Sequence, residues 1–156
     1  MIIGHLPAGY LVARLATALG APSLFWGLMS GSIAPDFDML RFYQTDNQAT
    51  HYHDYVTHRP VIWLGIFGLG CLVRQAFVLG LGLGGVLLLV LDSIAGKVAW
   101  LWPFSDGTTT LVIVPATQDH WVLSFLVHWT FGVEIVITCI AIFMWAKPRK
   151  GKKRET

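Results

Sequence analysis

From Ala76 to Leu91, sixteen consecutive residues carry no polar side chain. In hydrocarbon a backbone must satisfy its N–H and C=O groups within its own segment, so such a run folds as a helix, and about 20 residues of it cross the bilayer core. A second run, Trp121 to Ala146, contains only His128 and Glu134 as chargeable side chains besides the thiol of Cys139. With 54% hydrophobic and 13% charged residues, the chain reads as a membrane protein rather than a soluble domain of its length. Two further stretches are weaker. Pro60 to Val73 is apolar but short, and Leu15 to Pro35 is uncharged but interrupted by Gly20-Ala21-Pro22, which reads as the turn of a helical hairpin.

These runs predict an all-α, polytopic helical membrane protein of about five helices, near 6–19, 22–34, 60–74, 76–101 and 119–146. Residues 1–146 are expected to form one membrane-embedded domain, with a polar outer loop at about 36–58, followed by a basic tail at 147–156. The tail holds six basic residues against Glu155, a net +5, which leaves −3 on the rest of the chain. A basic run directly after a span marks a cytoplasmic end and suits contact with anionic lipid; a nucleic-acid arm is the disfavoured reading. Counting back places the N-terminus outside, with Arg14 and Arg74 inside and Arg41, Arg59 and Lys97 outside. No basic segment precedes the first apolar stretch, so the first helix is expected to persist. From Leu6 to Leu19 it covers only about 21 Å and underfills the hydrocarbon. The glycines between Gly80 and Gly85 suit close helix packing, and Cys71 and Cys139 read as packing residues.

Under this topology His5, Asp36, Asp38, His51, His53, Asp54, His58 and Asp92 converge at one outer membrane end. Asp36 and Asp38 follow directly on an apolar helix, where Pro35 disfavours its continuation; the alternative role for either is an N-cap or Asx-turn. The segment from His51 to His58 packs three histidines into eight positions, a density that suits imidazole ligation with Asp54 or Thr57 orienting the rings, or else a polar interfacial loop. Asp92 ends the longest unbroken apolar run, where a carboxylate needs a partner: Lys97 or Ser93 in a structural role, or a metal. Arg59 offers a planar, five-donor guanidinium for a phosphate or carboxylate, or for a lipid headgroup. Arg14 has Glu134 as one candidate partner, and His120 and His128 are not assigned as ligands. Reading Leu15 to Pro35 as one continuous span would put His5 on the opposite side from Asp36 and dissolve the cluster.

His5 before a small-residue helix, Gly31-Ser32-Ile33-Ala34-Pro35-Asp36-Phe37-Asp38, His58-Arg59, Leu91-Asp92-Ser93 and Trp102-Pro103-Phe104-Ser105 together resemble the YdjM-type family of inner-membrane, metal-dependent hydrolases, from His5 to about Asp106. The resemblance implies a helical fold in the inner membrane and a metal site built from His5, Asp36, Asp38, His58 and Asp92, with His53 as an addition. The sequence departs from the family's pattern in two places. Leu88 stands where the family carries a His one turn before the aspartate, and the order around the second His is Thr57-His58-Arg59-Pro60. A more distant likeness, to zinc-dependent phospholipase C enzymes, is analogy only.

The leading expectation is therefore a membrane-bound hydrolase of a lipid-linked or headgroup ester, such as a phosphoester, acting at the outer face. Mixed imidazole and carboxylate donors suit a divalent metal, zinc or else manganese. Asp38 or Asp54 is the candidate base and Arg59 the group that steadies negative charge. The alternative is a non-enzymatic metal-binding protein or transporter component, with Asp92, His128 and Glu134 marking a path through the bilayer.

Overall fold

The computed structural model describes residues 3–17, 21–38 and 56–147. Among these residues the regular structure is helical: α1 (His5–Thr17), α2 (Pro22–Gly31), α3 (Pro60–Leu72), α4 (Ala76–Asp92), α5 (Trp121–Leu126) and α6 (Trp129–Ala146), with 3₁₀ turns at Pro35–Phe37 and Val56–His58. A proline occupies the first position of α2 and of α3, where its missing N–H costs no intrahelical bond.

Two expected helices end differently. The one expected over 76–101 stops at Asp92, because Ser93 turns back on it: the Ser93 hydroxyl donates to the Leu89 carbonyl and accepts from Trp100 Nε1, both at 2.8 Å. The one expected over 119–146 is broken at Val127 and His128 into α5 and α6. Each piece starts on a histidine cap, with His120 Nδ1 accepting from the Val122 N–H and His128 Nδ1 from the Thr130 N–H. Of the expected spans, only Trp129–Ala146 is both long and apolar enough to cross a membrane among the described residues; α3 and α4 are shorter apolar helices.

Gly20 lies outside the described residues, but α1 and α2 are separate helices packed side by side, so Leu15 to Pro35 is not one continuous span. Their approach is close because Gly9 faces Ser32, whose Cβ would stand 2.5 Å from a methyl group placed there. α2 also packs along α4, and α4 returns along α3 after a tight turn in which Arg74 takes φ 53°. The α2 and α4 backbones meet through glycines on both helices: a Cβ on Gly84 would lie 2.7 Å from the Ser32 nitrogen and 2.8 Å from the Gly31 carbonyl carbon. Without water to expel between helices, such backbone contact and van der Waals packing provide the attraction.

α6 lies beside α1 in the same direction. The buried Glu134 carboxylate accepts from the Ile3 and Gly4 N–H groups at 2.6 and 2.9 Å, while Arg14 donates to the Met144 carbonyl and to the Tyr10 hydroxyl. Glu134 thus holds the start of α1, and the Arg14 contacts hold its far end. The start of α1, the end of α2, the start of α3 and the end of α4 consequently share one end of the bundle.

Candidate metal centre

At that end four of the expected residues meet. His5 is 3% exposed and bridges two carboxylates, its Nδ1 at 2.8 Å from Asp36 Oδ2 and its Nε2 at 3.0 Å from Asp92 Oδ1. The opposite oxygens of those carboxylates face His58: Asp36 Oδ1 is 3.9 Å and Asp92 Oδ2 3.8 Å from His58 Nε2. One donor atom each from Asp36, His58 and Asp92 can be chosen so that all lie within 4.8 Å of one another, close enough to hold one ion. His58 and Asp92 are fully buried and Asp36 is half-buried.

Asp38 takes a different position from Asp36. The Pro35–Phe37 turn is 3₁₀ rather than extended, so the two side chains do not converge on one point: Asp36 turns to His5, and Asp38 Oδ2 lies 3.3 Å from His58 Nδ1. A carboxylate on the outer nitrogen of a ligating imidazole fixes its tautomer and ring orientation. Thr57 lies close to the 3₁₀ turn rather than orienting a ring: its hydroxyl donates to the Pro35 carbonyl at 3.4 Å, and its own carbonyl accepts from Trp63 Nε1 at 2.7 Å. These bonds tie the His58 turn to both the Asp36 turn and α3.

Asp92 has His5 as its close partner; Ser93 is engaged with Leu89 and Trp100, and Lys97 is exposed. Arg59 lies over the Trp102 ring, 5.6 Å from its centroid. His51, His53 and Asp54 lie outside the described residues, as does the tail beyond Lys147. Leu88, at the position of the family's missing His, is fully buried against Trp63, Leu89 and Val98.

The role of Glu134 was not legible in the sequence. Its one signal was a carboxylate in a long apolar run, and the structure uses it to hold the residues directly before His5. His120 and His128 serve as helix caps.

A helical membrane protein with a buried His and Asp cluster at one end of its bundle is the class that this fold and site define. The model of the YdjM inner membrane protein family matches residues 1–152, and the chain belongs to that family. It is accordingly an integral protein of the inner membrane. Comparison with curated proteins and with solved structures gave no match.

Proposed function

We propose that the cluster is a divalent metal centre and that the protein is a metal-dependent hydrolase of lipid-linked or headgroup esters, phosphoesters among them. The observation that carries this reading is the approach of Asp36, His58 and Asp92 donor atoms to within 4.8 Å of one another, with Asp38 on the far nitrogen of His58. One imidazole and two carboxylates with no thiolate fit zinc or manganese and match the three-ligand pattern that leaves a catalytic position open. A metal held there would supply Lewis acidity and a water nucleophile at neutral pH.

The surrounding residues have separable tasks. His5 engages Asp36 Oδ2 and Asp92 Oδ1, which turns the other oxygen of each toward His58. Asp38 would orient His58 through its Nδ1. Arg59, over the Trp102 ring, would hold a phosphoryl or carboxyl oxygen. The site end of the bundle is the outer side in this reading, because Arg14, Arg74 and Lys147 all belong to the opposite end. Against a transport path, Glu134 and His128 are engaged in holding helix starts, and α4 offers no polar side chain before Asp92.

Metal analysis of the purified protein beside Asp36→Ala and His58→Ala tests the centre. Stoichiometric metal in the wild type and its loss from both variants is expected; unchanged metal content in both would sink the reading. Turnover of phosphoester and lipid-ester substrates that is abolished by chelator and restored by zinc or manganese tests the hydrolase. Metal flux into liposomes without turnover would replace it with transport.

A further inference from the structure

α6 serves as a ruler for the depth of the site. Hydrogen bonds from Ile3 and Gly4 to Glu134 set the start of α1 level with the sixth residue of α6, and His5 follows immediately. Trp129 begins that span five residues before Glu134, about 8 Å further along the axis at 1.5 Å per residue. Because His5 touches both Asp36 and Asp92, the cluster stands short of the end of the helix that crosses the membrane.

Part of the segment between α4 and α5 lies beside the end of α4. It folds back on the end of α4: Val98 and Thr109 exchange backbone hydrogen bonds at 2.8 and 3.1 Å, and the Leu111 and Val112 N–H groups donate to the Ser93 and Ile94 carbonyls, each at 2.8 Å. Leu111 and Ile113 are therefore held beside the residues that follow Asp92, and they are 70% and 84% exposed. Leu101 and Phe104 in the same segment are 67% and 94% exposed. Single exposed apolar residues are ordinary, but four in one irregular segment, with Leu111 tied by its backbone beside Ser93, mark a surface suited to the interfacial zone of a bilayer, where backbone can still meet water. On α6, Val136, Ile140 and Phe143 are likewise exposed.

We propose that Asp36, His58 and Asp92 lie at the glycerol level of one leaflet, that the Leu101, Phe104, Leu111 and Ile113 side chains face lipid beside them while Asp106 stays on the water side, and that the ligand of the site arrives laterally as a lipid whose ester or phosphoester sits at that level. The lateral ligand rests on the metal reading above; the depth does not. A lipid ester is presented at this depth without leaving the membrane, whereas a water-soluble ester would have to enter past apolar side chains.

Nitroxide labels placed singly at Leu111→Cys and Ile113→Cys, in the full chain carrying Cys71→Ser and Cys139→Ser, measure the depth in phosphatidylcholine and phosphatidylglycerol vesicles. Power saturation with oxygen and with a nickel chelate should give Leu111 and Ile113 oxygen-to-nickel ratios near that of Val136→Cys and several-fold above that of Asp106→Cys, an exposed position in the same segment. Ratios equal to that of Asp106 would overturn the proposal. So would labels shielded from both reagents, since protein and not lipid would then cover these side chains. Repeating the measurement with Asp36→Ala separates the two claims: lost metal with unchanged depth upholds the placement, and a wild type that binds no metal removes only the lateral ligand.

Discussion

Substituting Gly84 by Ala tests whether backbone contact between α2 and α4 sets the metal centre. The added Cβ would meet the Leu28 carbonyl oxygen first, then the Ser32 nitrogen at 2.7 Å and the Gly31 carbonyl carbon at 2.8 Å. Contacts of carbon become attractive only near 3.5 Å, so the helices must part by about 0.8 Å at this level. All three neighbours belong to the last turn of α2 or its cap, and Asp36 follows that turn while Asp92 ends α4. The displacement therefore widens the gap between two ligands. Ligand distances in metal sites hold to about 0.2 Å, so the widening is several times what an ion tolerates. Loss of outer residues alone costs about tenfold to a hundredfold in affinity, and moving a ligand belongs at the upper end, about 2.7 kcal/mol. Overpacking should also cost about 1–3 kcal/mol of stability, partly offset by about 1 kcal/mol from replacing a helical glycine with alanine.

Gly68→Ala is the control, because no heavy atom lies within 4 Å of a Cβ there. It receives the same helical gain without a clash. Competition between the detergent-purified protein and a chromophoric chelator measures affinity, and circular dichroism reports whether the helices persist. Wild-type affinity in a folded Gly84→Ala protein, or an equal loss in Gly68→Ala, would refute the reasoning.

Asp38→Asn should keep the metal but weaken it by about tenfold to a hundredfold, since it alters only the group on His58 Nδ1; complete loss in the chelator competition would make Asp38 a ligand instead. Glu134→Ala should lower stability by roughly 2–4 kcal/mol, as it strips a buried acceptor from two backbone N–H groups, with Glu134→Gln intermediate; equal thermal midpoints for all three proteins would contradict this. Leu88→His should destabilise by about 1–3 kcal/mol without raising metal content, because the side chain enters the contact of Trp63, Leu89 and Val98; a gain of metal per chain by elemental analysis would overturn it.

The apolar runs, the Gly20-Ala21-Pro22 break and the tight spacing of Asp36 and Asp38 made the helices and the candidate ligands legible, because hydrocarbon forces each segment to satisfy its own backbone and makes every charge in it conspicuous. Helix ends were less legible. Ser93 stops α4 through a bond to Trp100, and the break before α6 depends on His128 turning its ring onto its own helix start. Both are choices of rotamer and partner that an apolar pattern does not encode.

Residue types and their order along the chain determined that His5, Asp36, Asp38, His58 and Asp92 were candidates to meet. Only the tertiary structure decided their separate places: Asp36, His58 and Asp92 around one point, His5 between two carboxylates, and Asp38 behind the imidazole. The physical reason is that these places depend on fractions of an ångström in how α1, α2 and α4 approach through Gly9, Gly31 and Gly84, and on Glu134 reaching across 130 residues to hold the start of α1. Sequence spacing sets which end of a helix a side chain occupies; helix contact sets which atom it faces.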